Sequence, residues 1–193
     1  LSEIRCVAGS STESISQPRW DRNGLLHWMS DRTGFWNLYA EGHNLTPMEA
    51  DFCLADWMFG QNSYCWLRDG RIGVVRIRNA MAQLGVLEPW SRQISWLETE
   101  YTSIASLQSD DDGIVAIAAS PVQAVAVVRF APDANKATLV HASRPLPFDR
   151  SYLSTPQPIR FEAKPGHLAH AFYYPPANPR CTAPANERPP LIT

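Results

Sequence analysis

Ser30-Asp31-Arg32-Thr33-Gly34-Phe35-Trp36-Asn37-Leu38-Tyr39 joins two apolar runs, Leu25 to Met29 and Phe35 to Ala40. Both runs are rich in aromatic and aliphatic residues and short enough to be strands. The residues between them are turn chemistry: Asp31 can bond its own backbone two residues on, and Gly34 tolerates positive φ. The stretch therefore predicts strand, tight turn, strand. Just upstream, Pro18-Arg19-Trp20-Asp21-Arg22-Asn23-Gly24 adds an earlier strand closed by an Asn-Gly turn. Three meandering strands in about two dozen residues predict one blade of a β-propeller.

Working outward, Leu25, His27 and Met29 face one way in a strand, and Leu26 and Trp28 the other. Apolar groups on both faces suit a blade held between neighbouring blades. The first unit spans 14–47, with strands over 17–20, 25–30, 36–41 and 44–46. Residues 4–8 are expected to form the last strand of a preceding unit. A second unit, 52–99, follows. In it Leu54-Ala55-Asp56-Trp57 echoes Gln17-Pro18-Arg19-Trp20 with the tryptophans 37 residues apart, and Trp66 echoes Trp28 at a distance of 38. Arg68-Asp69-Gly70-Arg71 reads as its hairpin turn, with further strands over 72–77 and 84–87. A third unit, 101–143, has strands over 104–107, 114–118 and 124–130 around the acidic turn Asp110-Asp111-Asp112-Gly113. A period near forty residues with four strands each predicts an all-β, partial propeller of about three blades. The competing reading is a β-sandwich of many short strands.

Beyond Ser143, Pro145, Pro147, Pro156 and Pro158 mark a linker. Residues 158–163 and 169–174 flank Lys164-Pro165-Gly166-His167, a terminal hairpin outside the repeat. The proline-rich tail 175–190 cannot hold regular structure. The expected division is thus 1–150 for the propeller part and 151–193 for linker and hairpin.

The chain of 193 residues is 45% hydrophobic and 19% charged, a folded composition, and its formal charge of -2 offers no general field for nucleic acid or an anionic membrane. No apolar run reaches the length of a transmembrane helix. Cys6, Cys53, Cys65 and Cys181 form no C-x-x-C pair, so no zinc site is expected; scattered thiols point to a reducing, cytoplasmic setting. The first residues carry neither an initiator Met nor a signal-peptide pattern, and read as the middle of something longer.

Three stretches carry a family resemblance: S-D-R-T-G-F-W-N-L-Y at 30–39, N-L-T-P-M-E-A-D-F at 44–52, and H-A-F-Y-Y-P-P-A-N-P at 170–179 with P-P-L-I-T at 189–193. With these the chain resembles the prolyl oligopeptidase-type serine peptidases, in particular the acylaminoacyl-peptidase and dipeptidyl-aminopeptidase-like branch. The resemblance implies that the first stretch is a blade motif and that the second bridges one blade to the next. It implies that the third is the first hairpin of an α/β-hydrolase domain. The chain departs from the family pattern by stopping where the oxyanion loop would begin, and it contains no Gly-x-Ser-x-Gly elbow. No catalytic residue of the family can be placed on it. The expectation is a non-catalytic piece whose parent gates short peptides into a hydrolase site. A stand-alone TolB-like binding propeller is the alternative. A homo-oligomer pairing open blade flanks is expected from the missing neighbours.

No catalytic, cofactor-binding or metal-binding residue is assigned, and each candidate has a plainer reading. His167 and His170 form H-x-x-H across a hairpin, where residues three apart point to opposite faces; they read as a turn His and a partly buried strand His. The Asp110-Asp111-Asp112 run lacks the alternating ligands of a calcium loop and reads as a solvated turn. Asn44-Leu45-Thr46 fits a glycosylation pattern, but the blade explains Leu45. Ser10, Ser11 and Ser14 have no His or acid at a recognisable spacing. Trp20 and Trp57 read as blade core, Asp31 as the cap of its turn, and Arg32 as the partner of a neighbouring blade.

Overall fold

The computed structural model describes residues 4–57, 60–187, 190 and 192. It divides into two compact units: residues through Ser120 with Val125–Ser143, and Pro121–Ala124 with residues from Arg144 onward. The first unit contains three four-stranded antiparallel meanders, each in chain order. Blade one is β1 (Ile15–Trp20), β2 (Leu26–Ser30), β3 (Asn37–Ala40) and β4 (His43–Asn44). Blade two is β5 (Tyr64–Trp66), β6 (Ile72–Arg78), β7 (Met81–Glu88) and β8 (Gln93–Trp96). Blade three is β9 (Ser103–Asp110), β10 (Gly113–Ser120), β11 (Gln123–Ala131) and β12 (Lys136–Ala142). In the second unit β13 (Gln157–Lys164) and β14 (His167–Tyr173) form the terminal hairpin. The all-β partial propeller expected from the near-forty-residue period of short strands is the observed fold. Among the described residues no helix is long and apolar enough to cross a membrane.

The blades form because successive residues of one strand serve two cores. In β6, Ile72 and Val74 join Met29, Leu38, Phe52, Tyr64 and Leu87 between blades one and two. Val75 joins Leu84, Ile104, Leu107, Ile114, Val128 and Phe130 between blades two and three. At Gly73 a Cβ would stand 2.6 Å from Ile114 Cδ1, so the absence of a side chain sets how closely blade three approaches.

Each blade turns from its first to its second strand through a glycine at positive φ: Gly24 at 78°, Gly70 at 88° and Gly113 at 145°. These three lie 46 and then 43 residues apart. They correct the register of the repeat. Tyr64–Trp66 is the first strand of its blade, the counterpart of β1 and not of β2, so Trp66 matches Trp20 and not Trp28. Residues 54–57 form no strand, and Trp20 and Trp57 are not core: they are 66% and 90% exposed. Trp20 ends its strand beside the turn, and Trp57 follows an irregular segment in which Asp56 Oδ2 accepts from Ser16 Oγ at 2.5 Å. Residues 4–8 form no strand either; Ile4 and Val7 are exposed and nothing described pairs with them.

The crossover from blade one to blade two is held by side chains that the backbone path requires. Asn37 Nδ2 donates to the carbonyls of Met48 and Ala50 at 3.2 and 3.1 Å. Asp51 Oδ1 accepts from the Trp36 N–H at 2.9 Å, while its own backbone bridges to Ile77 of β6. Phe52 is thereby delivered, fully buried, into the core between the blades.

Candidate functional site

The first strands of the blades converge, which marks the axial side of the assembly. Ser63 N–H, just before β5, donates to Gln17 Oε1 at 2.8 Å, and Gln17 Nε2 donates to Ser63 Oγ at 3.1 Å. Tyr64 Oη donates to the Gln17 carbonyl at 2.7 Å. Arg19 donates to the Tyr64 carbonyl at 2.6 Å and lies over the rings of Tyr64 and Trp66. The link recurs one blade on, where the Leu107 N–H donates to the Asn62 carbonyl at 2.8 Å. Gln17 and Ser106 both take left-handed backbone, at φ 49° and 56°, where β1 and β9 slip register against their neighbours. Such bulges turn a polar group off the sheet and toward the next blade. The fourth strand of blade three, β12, is exposed along its whole length.

At the end of the blades that carries the glycine turns, charges clasp blades two and three. Arg71 holds Asp69 and grips Asp133 with both arms, at 2.9 and 3.2 Å. Arg68 pairs with Asp111, and Arg129 with Asp110 at 2.6 Å. The Arg71 guanidinium holds the Asp133 carboxyl below its usual range. Burial pushes Asp110 up, but Arg129 and the N–H groups of Asp112 and Gly113 outweigh it and bring it below. The acidic turn is thus a structural counter-charge to arginines of its own and the neighbouring blade.

At the opposite end lies a cleft of about 450 Å³ between the tip of the β6–β7 hairpin and the segment 97–99. Arg76, Arg78, Met81, Gln83, Leu97 and Glu98 are among its walls. Arg76 lies 4.0 Å from the centre of the Trp96 ring and donates to Gln83 Oε1 at 2.5 Å. Its Nε–H is buried and meets no acceptor. Burial, reinforced by Arg78, lowers the affinity of Arg76 for its proton.

The remaining candidates fall into place singly. Asp31 does not cap its own turn: Oδ1 accepts from the Ser14 N–H at 2.7 Å and fastens the entry to β1. Arg32 pairs not with another blade but with Glu13 of its own, at 2.7 Å, and covers the Tyr39 ring. Asn44 Nδ2 donates to Asn37 Oδ1 and Tyr39 Oη, and Leu45 is buried as the blade requires. His167 and His170 are both exposed; His170 is not partly buried, because β14 leaves it opposite Arg160 at the surface. Ser10 engages Thr12, and Ser11 is exposed. The Cys53 and Cys65 thiols are buried and pushed up to about 12, which leaves them un-ionised and inert. Among the described residues no three His, Cys, Asp or Glu groups gather as metal ligands.

His27 is buried beside the first inter-blade core, 3% exposed, edge-on to Trp66 with Nδ1 3.1 Å from the Leu25 carbonyl. Burial pushes it below 6.5, against smaller opposing pulls from the Leu25 carbonyl, Asp21 and Glu41. A depressed histidine binds its proton more readily when unfolded, so its stabilising share is complete above 6.5 and is lost as pH falls. The urea midpoint is expected to drop between about pH 7 and about pH 5. His27→Gln is expected to flatten that part of the curve, as read by Trp fluorescence.

Four-stranded antiparallel blades, stacked face to face with their first strands along one axis, define a segment of a β-propeller. The chain is homologous to the propeller region of a prolyl oligopeptidase-family peptidase. It is similar to puromycin hydrolase, at 34% identity over 96% of the chain with a TM-score of 0.87. It is also similar to a puromycin-hydrolyzing peptidase of Mycobacterium tuberculosis, at 31% identity and a TM-score of 0.86. A puromycin hydrolase mutant complexed with PGG gives 34% identity and a TM-score of 0.86. The chain spans 29% of the length of each. No family model matches it, and no curated protein does.

The links Gln17–Ser63, Asp51–Trp36 and Arg71–Asp133, and the Arg76 cleft, escape a reading by periodicity. One signal was available for the last: Arg76 and Arg78 alternate with Val75 and Ile77, placing two cations on one face of an otherwise buried strand.

Proposed function

We propose that this chain is the part of a serine-type exo- or oligopeptidase that gates access of short peptides to a hydrolase site, and that the chain alone does not catalyse. The observation that carries this reading is the 34% identity to puromycin hydrolase across 96% of the chain. In this reading 151–193 is the linker and first hairpin of the hydrolase domain, and the parent cleaves small aminoacyl amides of the puromycin kind by acyl transfer. Four free thiols support a reducing, cytoplasmic setting. The chain by itself is expected to give no turnover of aminoacyl chromogenic amides; turnover that survives repurification would overturn the reading. Reading the gene past Thr193 tests the parent: a His-Gly-Gly and then a Gly-x-Ser-x-Gly sequence supports the peptidase. A stop codon there supports a binding propeller instead.

We further propose that the isolated chain self-associates. Ile117, Val125, Leu139 and Val140 of blade three are all about half exposed, apolar surface on the outermost blade of the kind that other protein covers. Sedimentation is expected to show mass rising with concentration, and a single monomeric species at high concentration refutes the proposal.

A further inference from the structure

We propose that the cleft between the β6–β7 tip and residues 97–99 is a binding site for a small organic carboxylate, received by Arg76 and Arg78. The two side chains leave β6 on the same face, two residues apart. Trp96 backs the Arg76 guanidinium at 4.0 Å and Gln83 fixes one of its nitrogens, so its plane is set before any ligand arrives. Its Nε–H is buried without an acceptor, out of reach of the cleft, so a ligand there is met by the terminal guanidinium nitrogens. Neither arginine has an ion pair among the described residues, in contrast to Arg32, Arg68, Arg71 and Arg129. Glu98 is the acid in the lining, and its contact with the rest of the fold is made by its backbone N–H, to Asn135 Oδ1.

The chemistry selects a carboxylate attached to an apolar body. A planar guanidinium meets a carboxylate through two parallel hydrogen bonds. Met81, Ala82 and Leu97 supply apolar wall beside it. About 450 Å³ suits a ligand the size of an acylated amino acid. The inference needs only blade two and its following segment, so it stands whether or not the parent is a peptidase.

The test is calorimetric titration of the whole chain with N-acetyl-L-leucine, with N-acetyl-L-leucinamide as the uncharged isostere and inorganic phosphate as a second anion. Saturable binding of the acid is expected, at least about tenfold weaker for the amide and for Arg78→Ala. Arg78 is exposed, so that variant should keep the fold, which circular dichroism verifies. Glu98→Gln, which removes the competing carboxylate, is expected to tighten binding a few-fold, and Trp96→Leu to weaken it. The proposal is overturned if acid and amide bind alike, if neither binds, if Arg78→Ala or Glu98→Gln has the reverse effect, or if phosphate binds as tightly as the acid.

Discussion

Phe130→Ala is expected to lower the free energy of unfolding by about 3–5 kcal/mol, a large part of what a domain of this kind possesses. Phe130 is fully buried and meets Tyr101 edge-on with ring centres 6.0 Å apart. It stands among Ile104, Leu107, Ile114 and Val128, with Leu84 and Val86 arriving from blade two. Deleting the ring therefore opens a cavity at the surface where two blades meet, and neither rigid sheet can move in to fill it. Equilibrium denaturation in guanidinium, followed by Trp fluorescence, measures the loss. Phe130→Leu, which keeps most of the volume, is expected to cost less than about 1.5 kcal/mol. Phe148 is 52% exposed, and its replacement by alanine should change stability by no more than about 0.5 kcal/mol. A Phe130→Ala loss as small as that of Phe148→Ala would mean that blades two and three do not share the core described.

How far the sequence disclosed the fold can be judged from a few residues. The two-sided apolar pattern of Leu26, His27, Trp28 and Met29 reports a strand covered on both faces, and all but the first are buried. That signal is local and strong because burial acts on every position. The register of the repeat is not local. Trp57 imitates Trp20 in sequence, but what recurs in space is the left-handed glycine after the first strand, preceded each time by Asn or Asp: Asn23-Gly24, Asp69-Gly70 and Asp112-Gly113. Aromatic identity misled because neither tryptophan is held in a strand interior: Trp20 ends β1, Trp57 lies outside any strand, and both face solvent. The inter-blade links were hidden for a further reason. Gln17 reaches Ser63 only through left-handed backbone that a non-glycine residue rarely adopts. Arg71 finds Asp133 across 62 residues of chain. Contacts of that kind are products of the assembled blades, and no spacing rule anticipates them.

Gly113→Ala is the second change expected to be severe, on the order of 3 kcal/mol, although it adds a single methyl group. Gly113 opens β10 at φ 145°, a conformation that L residues rarely adopt. The added Cβ would overlap the carbonyl oxygen of Phe130, which is backbone and cannot rotate aside, and would press on Pro132 Cδ at 3.2 Å. Relief would require β10 and β11 to part where Asp110 pairs with Arg129 and where Phe130 enters the core. Gly70, in the matching turn of blade two, separates the two causes. It has φ 88° with nothing within 4 Å of a built Cβ. Gly70→Ala should therefore show the backbone strain alone, about 1 kcal/mol, while Gly113→Ala shows strain and collision together. Thermal and guanidinium unfolding of the two variants side by side decides the matter. Equal losses would place the whole effect in backbone conformation. A markedly larger loss at Gly113 would show that the close passage of β10 against the Phe130 carbonyl is what reserves this position for glycine.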